Sequence, residues 1–173
     1  MPVPSRPAGI SAAGKGAVWW VPTVADPTEP TVAEITAGFP IQCVLHEFNL
    51  NAEQSTVESS RYCDSEVSET LGRTKWTVDP LIYDYNPQSP ILTTGEYGHY
   101  AKLTPGLTGY LMDRRGLDHA VDPAATQYVT MIPVKLGVRT PLPIVVANEG
   151  ETLRVQQTVA VTGDVEQDVV IVA

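Results

Sequence analysis

The chain of 173 residues is short of several things at once. It has two Cys, three His and two Phe, and 11 basic side chains against 20 acidic ones. Two thiols make neither a disulfide framework nor a four-thiolate metal centre, so Cys43 and Cys63 are expected as buried thiols, with a single bridge as the alternative. A net charge of −9 leaves no basic face to neutralise phosphates, which argues against a nucleic-acid binder and against attachment by charge to anionic lipid. No apolar run approaches the ~20 residues that a membrane-spanning helix needs. Residues 1–16 lack the apolar core of a secretory signal, so synthesis in a cytosol is expected. Charged residues make up only 18% of the chain, but 43% is apolar, enough for one real core at this length and against wholesale disorder.

What the chain does have is 22 Val and 18 Thr, punctuated by 15 Pro and 13 Gly. Stiff β-branched side chains favour pleated surfaces, and frequent breakers favour short strands over long helices. The expected fold is mainly β: a single β-sandwich or barrel domain over residues 17–173, with one or two short helices. An extended N-terminal arm over 1–16 precedes it, since three Pro, three Gly and almost no large apolar side chain cannot support folding there. Strands are expected over 17–21, 41–45, 74–85, where Pro80 suggests an edge or a bulge, 108–114 and 126–138. In the last of these Ile132, Val134, Leu136 and Val138 share one side. Residues 152–162 and 165–172 read as a closing β-hairpin around Thr162-Gly163-Asp164, with Leu153, Val155, Val159 and Val161 on one face and Gln157 between them. A helix of about two turns is expected over 31–38, because Thr31 and Glu34 have capping-box spacing and Gly38 stands where a C-terminal glycine belongs. A second short helix is expected over 96–103. Residues 46–70 carry six acids and little apolar periodicity, and read as a long loop with a short strand near Val57.

Few residues point to chemistry. Residues 9–16, from Gly9 to Lys15 and Gly16, match a phosphate-binding loop at all but the last position, where Gly16 replaces the Mg²⁺-binding Ser or Thr. No strand precedes that stretch and an aromatic run follows, so an arm is the better reading. Asp118, His119 and Asp122 gather nitrogen and oxygen donors in one turn, but a metal needs converging, supported ligands and a surface turn looks the same. His46 and His99 stand alone in the sequence. Trp19, Trp20 and Trp76 could stack on a sugar, yet adjacent Trp19 and Trp20 must face opposite ways on a strand, which favours core anchoring. The acidic residues are spread through loops as a solvated surface requires.

Taken together, the segments resemble a known family. An arm leads to a Trp-rich strand ending Val21-Pro22, then to a helical element from Pro30 to Gly38. Further on come Leu103-Thr104-Pro105-Gly106-Leu107-Thr108-Gly109-Tyr110-Leu111 with Arg114 and Gly116, and a valine-rich end. This pattern resembles the major tail tube proteins of long-tailed bacteriophages with non-contractile tails, from about Ala17 to Ala173. The resemblance implies a β-sandwich or barrel subunit that forms hexameric rings stacked into a hollow tube, through which DNA passes on ejection. It implies no catalytic residue, no cofactor and no metal. Its partners would be further copies of itself, the tape measure protein, the tail terminator and the distal tail proteins, with no membrane, in a virion assembled in the host bacterial cytoplasm. The arm and residues 46–70 are the segments expected between rings. The acidic balance fits a conduit, because duplex DNA carries one negative charge per ~1.7 Å and a basic wall would hold it. The alternatives are another ring-forming tail component (a terminator or connector), a secretion-tube protein, a carbohydrate-binding β-sandwich, or an enzyme.

Overall fold

In the computed structural model, residues 8–63, 65–91, 94–95, 97–144 and 152–173 are described. Residues 1–7 of the expected arm, Asp64 of the acidic segment and Glu96 of the second helix lie outside them. The fold is mainly β with two short helices, as expected. Its contacts group into two units, one comprising 1–44, 108–134 and 163–173, the other 45–107 and 135–162.

The first unit is built on β1 (Gly16–Val21) and β7 (Thr108–Arg115), antiparallel with Trp20 opposite Leu111. Both are buried on both faces, and β1 also pairs with β2 (Phe39–Pro40). One core face joins Val21, Val24, Ile35, Met112, Val129, Met131 and Ile171, with Trp19 packed against it, while Trp20 is buried on the opposite face of β1. The two indoles thus point apart, as alternation along a strand requires. Trp20 lies against Gly109, where a Cβ would come within 2.7 Å of its ring, so the second glycine of the Leu103–Leu111 run makes room for the indole.

Helix α1 (Val32–Thr36) begins with the expected capping box: Thr31 Oγ1 accepts from the Glu34 amide, and Glu34 accepts from the Thr31 amide. Gly38 follows the C-cap Ala37, but its role is close approach, since a Cβ there would sit 2.0 Å from the Trp20 carbonyl oxygen. Of the expected strand over 41–45, residues 41–44 form a turn in which the Val44 amide reaches the Ile41 carbonyl, with the buried Ile41 bonded through its amide to the Val18 carbonyl, and only Leu45 enters a strand. Only Ile41 of that segment is buried, Val44 and Leu45 being half-buried and Cys43 exposed, so its apolar residues form no alternating row.

The second unit holds β3 (Leu45–Glu47), β6 (Leu81–Asp84) and β9 (Arg154–Val161) in antiparallel order, continued by the later part of β8 (Tyr128–Pro141). Helix α2 (Gly98–Lys102) falls inside the expected helical stretch. Residues 46–70 correct the loop expectation: β4 (Leu50–Ser59) pairs with β5 (Ser68–Val78) along nearly its whole length. The strands escaped notice because both their faces are exposed, so they carry no apolar alternation. The expected strand over 74–85 is broken at Asp79-Pro80, since proline has no amide to give to a ladder.

The buried row of β8 changes phase along the strand. Val129 and Met131 are buried, then Ile132, Val134 and Leu136, while Val138 is exposed, against expectation, because the cover ends at Leu136. The closing hairpin is also corrected. β10 (Glu166–Val170) pairs with the start of β8, at Tyr128–Met131, whereas β9 pairs with β6 and β8. Alternation revealed both strands; it carries no information about which neighbour each one finds.

Candidate functional site

The residues singled out by chemistry fall in three places. Residues 8–15 are irregular and exposed but for the half-buried Lys15, and Gly16 opens a strand, so the phosphate-loop spacing has no helix N-terminus behind it. The end of this segment is fastened: the Gly14 carbonyl accepts from the His119 amide, and the Lys15 carbonyl from Gly116. His119 itself is half exposed, 3.4 Å from Asp118. The turn is organised from beneath by Arg114, fully buried, whose guanidinium donates to the carbonyls of Asp118 and Val121 and to Gln127 Oε1. Burial pushes the Arg114 guanidinium below its usual range, and the Asp122 charge offsets part of that. Asp122 therefore answers a cation of the protein's own. Among the described residues no group of three His, Cys, Asp or Glu side chains is placed to hold a metal ion. Cys43 and Cys63 are exposed, not buried as expected, and Trp76 is half-buried on β5.

The second place is the β4–β5 hairpin. Every β4 residue from Ala52 onward is exposed, and on β5 all from Ser68 to Lys75 except Gly72. Among the described residues neither strand pairs with a third, so both outer edges are open. Val57, Leu71, Val67 and Tyr62 are exposed along its outer half. Glu58 stands directly opposite Glu69, a like-charge pair that weakens a ladder, whereas Glu53 stands opposite Lys75. The base is clamped by polar side chains. Asp79 accepts from both Asn49 (3.0 Å) and Asn51 (3.0 Å), and its amide donates to the Asn49 carbonyl. A two-stranded hairpin bare on both faces is marginal by itself in water. The clamp fixes its base.

The third place was not legible in the sequence. His46 and His99, apart in the chain, both meet Asp84 on β6. His46 Nε2 lies 2.8 Å from Asp84 Oδ1, and His99 Nε2 lies 2.7 Å from the Asp84 carbonyl. Thr152 donates its hydroxyl to the same Asp84 carboxylate. Burial would raise the Asp84 carboxyl, but the bonds from His46 and Thr152 outweigh it and hold the group below the usual carboxylate range. Beneath lies a buried polar knot. The Tyr83 hydroxyl donates to Gln157 Oε1 at 2.8 Å, and Gln157 Nε2 donates to the carbonyls of Leu103 and Gly137. Burial pushes the Tyr83 hydroxyl up to about 12. The Arg139 guanidinium donates to the carbonyls of Tyr100 and Leu103, the C-terminal end of α2, and lies 4.1 Å from the Tyr100 ring centre. Of these residues His46 and His99 showed only as isolated imidazoles, and Gln157 as a polar residue in phase with valines. Asp84, Tyr100, Arg139 and Thr152 converge from separate elements and leave no such sign.

All three places are structural in character: a fastened segment, an unpartnered hairpin, and a polar network that holds helix and strands together. No curated protein matches the chain. A family profile described as phage tail tube protein matches residues 3–173. With that match running over essentially its whole length, the chain belongs to the phage tail tube protein family.

Proposed function

We propose that this structural tail protein assembles with copies of itself into hexameric rings, stacked into a tube that conducts DNA at ejection, and that it does no chemistry of its own. Residues 17–173 act as one tail-tube domain behind an arm over 1–16. The tape measure protein, the tail terminator and the distal tail proteins are its further partners, and the virion is assembled in the host bacterial cytoplasm. The observation that carries this reading is the β4–β5 hairpin, exposed on both faces beyond its base and, among the described residues, open at both edges, placed in a member of the tail tube family. Open edges normally invite uncontrolled pairing. In a closed or stacked assembly they become the contact, made once per subunit in a repeating interface. The net charge of −9 supports the conduit, because an acidic subunit does not grip a phosphate backbone.

Negative-stain electron microscopy of the purified chain tests the reading. Long hollow tubes with six-fold end views are the expected outcome. Single rings that never stack would identify a terminator-like component, and a stable monomer at high concentration would remove the assembly reading altogether.

A further inference from the structure

The third region includes a cleft of about 270 Å³, with Tyr85, Pro87, Tyr97 and Leu153 as its apolar lining and Asp84 and Thr152 as polar groups. Its aromatic wall is set in advance. The Tyr85 ring stacks on Tyr100 at 5.2 Å and 25°, and Tyr100 is itself covered by the Arg139 guanidinium. Tyr97 and Leu153 are each about two-fifths exposed. Clefts that combine stacked tyrosines, a proline and a carboxylate suit extended proline-rich segments, which enter them as polyproline II at small entropic cost.

Three Pro-x-x-Pro stretches occur in the chain; 27–30 lies in a turn and Pro87 of 87–90 belongs to the cleft itself, which leaves the N-terminal one as the segment to dock. Residues 1–7 read Met-Pro-Val-Pro-Ser-Arg-Pro, and Arg6 is the only charged side chain in the first thirteen residues. In polyproline II, with three residues per turn, Pro4 and Pro7 fall on one ridge about 9 Å apart, and Arg6 falls off it. A Pro-x-x-Pro ridge suits the tyrosine wall, and the Arg6 guanidinium suits the Asp84 carboxylate, which stays partly exposed beside the bonds that Oδ1 accepts from His46 and Thr152.

We propose that the proline-rich arm of one subunit docks in the Tyr85–Tyr97 cleft of a second copy of this chain, with Arg6 paired to Asp84. The proposal rests on the self-assembly reading above. In a repeating heterologous interface every subunit offers one arm and one cleft, so each is filled once and none is left over. The already stacked Tyr85–Tyr100 pair lowers the cost of binding, since the wall need not be ordered by the arm.

The test places a benzophenone photo-crosslinking amino acid at Ser5 in the full chain, mixes ¹⁴N- and ¹⁵N-labelled protein, and maps crosslinks by mass spectrometry while light scattering follows assembly. The expected result is assembled protein whose crosslinks join arm peptides of one label to Tyr97- or Leu153-containing peptides of the other. Pro4→Ser with Pro7→Ser, and separately Tyr97→Ala, should reduce that yield about tenfold without lowering the melting temperature. Assembled protein whose crosslinks stay within one label, go to the hairpin, or are absent would overturn the docking and leave the tube reading standing. A chain that remains monomeric would overturn the assembly reading, and the docking with it.

Discussion

Gln157 sits in phase with Val155 on β9, and both are buried, yet the two do different work. Valine there contributes area, whereas Gln157 uses its carbonyl and both amide hydrogens on Tyr83, Leu103 and Gly137. A buried polar group costs most when its partner alone is removed. Gln157→Leu strips the bonds to the Tyr83 hydroxyl and to the Leu103 and Gly137 carbonyls, and should destabilise the protein by about 3 kcal/mol in urea unfolding. Tyr83→Phe leaves one amide oxygen without its donor and should cost about 1–2 kcal/mol. Glu34 gives the second prediction at this scale. Its carboxylate accepts from the Ala25 amide at 2.7 Å and from the Thr31 amide and hydroxyl, which holds it below the usual range. The folded value lies below the ordinary 4.5, so the stabilisation is complete above that value and is lost as pH falls through the lowered one. The stability difference between the wild type and Glu34→Gln, measured by denaturant titration across pH, should be constant near neutrality and shrink in acid.

At the scale of elements, the outer part of the β4–β5 hairpin depends for its stability on cross-strand pairs, since beyond the base both faces are exposed. Glu58→Lys converts the repulsion with Glu69 into attraction, whereas Glu53→Lys sets a lysine opposite Lys75. Each pair is worth roughly 0.2–1 kcal/mol, so neither change should alter the global melting temperature. Amide exchange should separate them: slower than wild type in the outer hairpin for Glu58→Lys, faster near the base for Glu53→Lys. The hairpin also shows what pattern reading misses. The capping box of α1 was visible because Thr31 and Glu34 are three residues apart and act locally. The pairing of β4 with β5 was invisible because Glu, Ser, Thr and Gln on two wet faces have no period to detect.

For the whole molecule, the N-terminal segment has two parts with different consequences. Gly14, Lys15 and Gly16 are bound to the 115–119 turn and to β7 by backbone bonds, while residues 8–13 make a single turn contact, from Lys15 back to Ala12. Removing residues 1–13 should therefore leave the melting temperature within a few degrees of wild type while shortening tubes seen by negative stain. Removing 1–16 takes away the start of β1 as well and should lower the melting temperature further. Tubes of undiminished length after the shorter truncation would show that the arm has no part in assembly.

By itself the sequence determined the fold class, the first helix with its cap, the opposed directions of Trp19 and Trp20, and the family resemblance that the full-length profile match bears out. All of these follow from composition or from residues a few positions apart, where local geometry fixes the outcome. Only the tertiary structure decided that β10 pairs with β8, that residues 46–70 hold strands, and that His46, His99 and Thr152 meet at Asp84. Those contacts join residues far apart in the chain. Their partners are chosen by which edges and polar groups remain unsatisfied once the core has formed, and no periodicity of a single strand records that choice.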